Sequence, residues 1–146
     1  MRPETNLSPV NDYGQAAELI VNISSKLIYT FNNALKPFQI TSQQFAILKI
    51  LHNIQPTPVT IKQIRSQMPD KMSDVSRIVE KMRSKGLIDR KINSEDRRNV
   101  DISITDKGLS AYNDTEPSFR AIERQLNKLS SDEVQQLNQL LKKLQH

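Results

Sequence analysis

The sequence predicts a mainly helical protein carrying one small β-hairpin. Three observations lead there. Apolar residues recur at three- and four-residue spacing through most of the chain, the mark of amphipathic helices. Only three Gly and 5% aromatic residues sit among many Leu, Ile, Lys and Gln, which suits helix better than sheet. One stretch alone, between Gly86 and Thr105, changes to strand-like patterning.

The elements follow in order. Ala16, Leu19, Ile20, Ile23, Leu27, Ile28, Phe31 and Leu35 repeat at helical spacing and predict a long first helix ending before Pro37. Thr41 with Gln44 forms a capping-box pattern opening a second helix, whose inner face is Phe45, Leu48 and Leu51. Pro56 and Pro58 make a turn, and Thr60 with Gln63 repeats the capping box for a short helix with Ile61, Ile64 and Met68 inward. Pro69 ends it. A further short helix places Val75, Ile78, Val79 and Met82 on one face, with Gly86 as its left-handed cap.

Residues 87–92 read as a first strand, and Val100, Ile102 and Ile104 alternate with polar neighbours in a half-buried second one. The polar loop 93–99 is the hairpin tip. Thr105 caps the next helix, which carries Pro117 as an expected kink or break. Ser130 with Glu133 opens the last helix, striped by Val134, Leu137, Leu140, Leu141 and Leu144. Two short helices across a tight turn, followed by a charged hairpin, describe a winged helix-turn-helix. The expected organisation is a helical dimerisation region from residues 1–37 and 109–146, around a DNA-binding domain at 38–108.

At 146 residues the chain has room for one core and no more. The absence of Cys excludes disulfides, thiolate metal sites and thiol redox switches. The two His residues, His52 and His146, are too few for a His-based metal cage, and no cofactor is expected. No apolar stretch approaches membrane-spanning length, and the N-terminus lacks the apolar centre of a signal peptide, so a cytoplasmic location is expected. No nucleophile–base pair or phosphate-cradling Gly loop is present, so an enzyme is not expected.

The net charge of +5 is unevenly placed. Residues 58–108 hold twelve basic and eight acidic side chains, while the flanking segments are close to neutral. A solvated basic face explains this as well as a nucleic-acid footprint does.

The short helix after Pro69 presents Ser73, Asp74, Ser76, Arg77, Glu80 and Lys81 outward. Small hydroxyls let such a helix sink into a major groove, and Arg77 is long enough to fork onto a guanine edge. Asp74 and Glu80 oppose this, because carboxylates repel phosphates; Asp74 has alternative uses as a cytosine acceptor, a helix cap or a brace for Arg77. A plain solvated face remains open. At the hairpin tip, Arg97 and Arg98 stand beside Asp96. Guanidinium groups there can reach an adjacent minor groove, with Asp96 orienting one of them by a fork-like salt bridge.

These residues carry a family resemblance. From about Thr41 to Gly108 the chain resembles the MarR family of winged-helix transcriptional regulators. The resemblance rests on Ser76-Arg77, the run Lys85-Gly86-Leu87-Ile88-Asp89-Arg90, Asp96-Arg97-Arg98, and Ile102-Ser103-Ile104-Thr105-Asp106-Lys107-Gly108. Ile104 stands where the family usually has Leu. The resemblance implies a homodimer clasped by its terminal helices on a pseudo-palindromic operator, acting as a repressor. It implies Ser76 and Arg77 on bases, Arg98 in the minor groove and Asp96 as its support. It also implies release by a small molecule between the terminal helices and the winged domain; Tyr13, Leu27, Phe31, Phe45, His52 and Tyr112 are the candidate contacts. The long apolar stripes of the terminal helices independently favour a homodimer. The rival reading is a winged-helix module for protein–protein contact without DNA.

Overall fold

The computed structural model describes residues 11–145. Residues 1–10 of the expected dimerisation region, and His146, lie outside the described residues. Helix α1 runs Asp12–Leu35, capped by Asn11, whose Oδ1 accepts from the Gly14 N–H at 2.8 Å. A 3-10 turn over Lys36–Phe38 follows, with Gln39 left-handed at φ 55°. Helix α2 spans Ser42–Ile54, strand β1 Val59–Thr60, helix α3 Ile61–Gln67 and helix α4 Val75–Ser84. Strands β2 (Ile88–Ile92) and β3 (Val100–Ile104) form the hairpin, and helices α5 (Asp106–Leu126) and α6 (Ser131–Leu144) close the chain.

The three capping boxes expected at Thr41, Thr60 and Ser130 are all formed, each satisfying two N–H groups that a helix start leaves without partners. The core collects one face of each central element. Ile47, Leu48, Ile64, Val75, Met82 and Ile102 are fully or almost fully shielded from solvent. At the other end of the scale, α1 buries only Phe31 and Leu35, and α6 buries nothing.

Two features depart from expectation. The sheet has three strands, in the order β1-β3-β2 and all antiparallel, because Val59 pairs with Ile102 and Thr60 with Asp101. A two-residue strand has no periodicity to betray it. Secondly, of the kink or break expected at Pro117 the break does not occur, since α5 runs through it as one helix. Proline there removes one intrahelical bond, but α5 packs along both α1 and α2. Ser118 Oγ also donates to the Ala34 carbonyl at 3.4 Å, and Gln125 bonds Thr30. Tertiary contacts hold the helix where local preference would end it.

One corner fixes the relation of α4, the hairpin and α5. Gly86 turns the chain at φ +75°, the left-handed cap expected of it. Thr105 Oγ1 donates to the Gly86 carbonyl at 2.6 Å and accepts from the Gly108 N–H at 3.0 Å. The Thr105 N–H donates to the Leu87 carbonyl at 3.1 Å. Gly108 has no room for a side chain, since a Cβ would stand 2.1 Å from that same carbonyl.

Candidate nucleic-acid interface

Helix α4 is short, steeply amphipathic and begins on Asp74, whose Oδ1 accepts from the Arg77 N–H at 3.2 Å. Of the three uses open to Asp74, this one is realised: its carboxylate caps the helix. Val75, Ile78, Val79 and Met82 are buried as expected, while Ser76, Arg77, Glu80 and Lys81 are exposed along the opposite face. Ser73 corrects the expectation. It precedes the helix and is buried, with its hydroxyl accepting from Gln43 Nε2 at 3.2 Å. The pattern misplaced it because helical spacing was extended past the cap into a turn.

That turn is built by its own polar groups. Asp70 Oδ1 accepts from the Met72 N–H at 2.9 Å, and Lys71 Nζ donates to the Ser66 carbonyl at 2.6 Å. These bonds order the connection over residues 68–74 between α3 and α4.

At the hairpin tip Asn93 accepts from the N–H groups of Glu95 and Asp96 at 2.8 and 2.9 Å, while its own amide donates to Asp101 at 3.0 Å. Asp96 Oδ1 accepts from the Arg98 N–H at 3.1 Å, and its Oδ2 accepts from Asn99 Nδ2 at 3.3 Å. The expected fork between Asp96 and a guanidinium is therefore absent. One contact remains, Arg98 Nε to Asp96 Oδ1 at 3.9 Å, and the Arg98 side chain is 95% exposed. Asp96 shapes the loop backbone first, because amide donors fixed by the turn outcompete a flexible side chain. The result is a hydrogen-bonded tip from which Arg97 and Arg98 project into solvent.

Sequence reading missed a charge cluster between these two parts. Glu80 on α4 receives a two-point fork from Arg83, Nη2 to Oε1 at 2.8 Å and Nε to Oε2 at 3.2 Å. Arg90 on β2 approaches the same carboxylate at 3.6 Å. The Arg83 hydrogen bond chiefly holds the Glu80 carboxyl below its usual range, and the Glu80 contact raises Arg83 in turn. The spacing of Glu80 and Arg83 was visible; the arrival of Arg90 from a strand was not.

The six candidate effector contacts divide. Phe31, Phe45 and Tyr112 are buried, with Phe31 and Phe45 edge to face at 5.1 Å and Phe45 stacked on Tyr112 at 5.6 Å. His52 stacks on Tyr112 at 4.3 Å. Leu27 is half-buried, and Tyr13 stands apart, exposed in the first turn of α1. Phe119, which helical spacing beyond Pro117 left out of account, completes the cluster against Phe31 and Phe45, with Lys49 over its ring at 4.7 Å. Burial pushes the Tyr112 hydroxyl above its ordinary range, with Glu116 adding to the shift. Neither the cleft between α5 and α6 nor the one beside Phe38, Lys85 and Lys107 is lined by any of these six. Among the described residues no group of three or more His, Cys, Asp or Glu side chains is placed to hold a metal ion, and no helix is long and apolar enough to cross a membrane.

A capped amphipathic helix beside an arginine-tipped hairpin defines a winged helix-turn-helix. Residues 40–100 match the MarR family model. The chain is 30% identical over 118 residues to the HTH-type transcriptional regulator MgrA of Staphylococcus aureus, covering 81% of this chain and 78% of that one. It is 30% identical over 102 residues to the HTH-type transcriptional regulator MhqR of Bacillus subtilis, covering 69% of each. Among solved structures, a mutant MarR of E. coli complexed with operator DNA superposes with a TM-score of 0.81 at 25% identity, covering 93% of this chain and 97% of that one. The MepR–DNA complex of S. aureus gives 0.79 at 26% identity, covering 88% and 94%. This chain belongs to the MarR family of DNA-binding transcriptional regulators, and it is not an enzyme.

Proposed function

We propose that the chain works as a homodimer that reads a pseudo-palindromic duplex site and represses transcription by occupying it. In this reading residues 38–108 are the DNA-binding domain, and residues 1–37 and 109–146 form the dimerisation region. Ser76, Arg77 and Lys81 of α4 meet the major groove, with Arg77 on a base edge. Arg98 enters the flanking minor groove and Arg97 meets its phosphate wall. Asp74 and Asp96 act indirectly, by capping α4 and shaping the wing. Ser73 sets the α3–α4 turn through Gln43 rather than touching DNA.

The observation that carries the proposal is the freedom of the wing arginines beside an exposed recognition helix. Groups held against the protein would gain nothing from phosphates, whereas Arg98 at 95% exposure has its charge available. The dimer is supported by apolar surface without a partner among the described residues. Leu19, Ile20, Ile23 and Ile28 on α1 are exposed, as are Leu140 and Leu144 on α6. Burial against a two-fold mate would remove that surface from water and set the two α4 helices about 34–36 Å apart, one DNA turn. A small molecule that repacks the aromatic junction of α1, α2 and α5 would alter this spacing without touching DNA, which gives a route to release.

The test is selection of bound duplexes from a random pool, with light scattering on the same preparation. The expected outcome is an inverted repeat with one-turn spacing, bound by a dimer. Failure to enrich any sequence, with binding insensitive to salt, would support a protein-contact module instead.

A further inference from the structure

We infer that Glu80 is a charge mask: it holds Arg83 and Arg90 against itself and so limits binding to DNA of the wrong sequence. The inference rests on the DNA-binding reading above and adds a specificity-determining residue to it. Glu80 poses a problem for that reading, because it puts a carboxylate on the exposed face of the recognition helix, where phosphates would repel it. The geometry supplies a use. Both oxygens of Glu80 are engaged by the Arg83 fork at 2.8 and 3.2 Å, and Arg90 reaches the same group across from the wing strand at 3.6 Å. All three side chains remain about half exposed, at 45–52%.

The consequence is electrostatic. Arg83 on α4 and Arg90 on wing strand β2 belong to the two elements proposed to contact DNA, where a free, half-exposed guanidinium could meet backbone phosphates of any duplex. Phosphate contacts add affinity without sequence information. Tied to Glu80, the two arginines and the carboxylate present a net of one positive charge rather than two. Arg77, Lys81, Arg97 and Arg98 form no ion pair of comparable geometry among the described residues, and they are the groups assigned to groove contact. The mask therefore falls on arginines outside the readout set.

The test compares Glu80→Gln, which keeps length and shape without charge, with the native chain. Each is titrated onto the selected operator and onto a scrambled duplex across a salt series. The expected result is tighter binding of the scrambled duplex and a lower ratio of operator to scrambled affinity. The salt slope should also steepen by about 0.9 for each guanidinium that reaches a phosphate, equivalent to roughly 3.5-fold more affinity lost over a fourfold rise in salt. Removing one carboxylate also relieves simple repulsion, so Glu80→Gln is repeated in an Arg83→Gln/Arg90→Gln background. If the arginines are what Glu80 restrains, the steepening disappears there. Persistence of the full effect in that background overturns the inference in favour of plain repulsion, and no change on the scrambled duplex overturns it outright. Far-UV circular dichroism confirms that each variant is folded. Absence of binding to either duplex by the native chain would instead refute the DNA reading itself.

Discussion

Replacing Gly108 by Ala tests whether the corner between α4, the hairpin and α5 is as tight as its geometry says. The added methyl would lie 2.1 Å from the Leu87 carbonyl oxygen and 2.8 Å from Ile104 Cγ1. The carbonyl must retreat by about 1 Å to reach an ordinary carbon–oxygen contact of roughly 3.3 Å. That movement stretches the 3.1 Å bond from the Thr105 N–H, which anchors the start of α5. Overpacking of this kind costs about 1–3 kcal/mol, and a lost hydrogen bond about 1 kcal/mol more. Alanine offsets about 1 kcal/mol through its better helix propensity. A net loss of about 1–3 kcal/mol remains, which for a chain of this size lowers Tm by roughly 2–12 °C.

The assay is thermal unfolding followed by circular dichroism at matched protein concentration, since self-association makes Tm concentration-dependent. An unchanged or raised Tm would refute the reasoning, because helix propensity would then outweigh the clash. Gly86→Ala is the companion measurement. A Cβ there meets nothing closer than Lys107 Cδ at 3.6 Å, so its cost comes from the backbone at φ +75°. The penalty is about 1–2 kcal/mol, and Asn should recover part of it.

Three further outcomes follow from the site. Arg98→Ala should weaken operator binding strongly, while light scattering shows the same oligomer; unaltered binding would remove the wing from the interface. Arg77→Ala should cost about 1–3 kcal/mol at one position in each half-site, whereas equal weakening on every sequence would make it a phosphate contact. Burial raises the folded-state pKa of Tyr112 above its unfolded value near 10. The stability this contributes is complete below that unfolded value and is lost as pH rises through the folded one. Alkaline melts should therefore show a fall in Tm that Tyr112→Phe reduces; an identical fall in the variant would assign it elsewhere.

Wherever the determinants are local, the amino-acid order was enough to read them. Three capping boxes, the left-handed turn at Gly86, the buried stripe of α4 and the strand β3 each depend on residues within a few positions of one another. The proposed DNA-facing residues were legible for the same reason, since a buried face defines its opposite. Tertiary structure alone decided what distant segments do to each other. It paired Val59 with Ile102, carried α5 through Pro117, drew Ser73 inward onto Gln43 and brought Arg90 to Glu80. Local preferences differ by only about 1 kcal/mol between states for ordinary residues. A packed neighbour shifts the balance by as much or more, and its identity is settled only when the chain has folded.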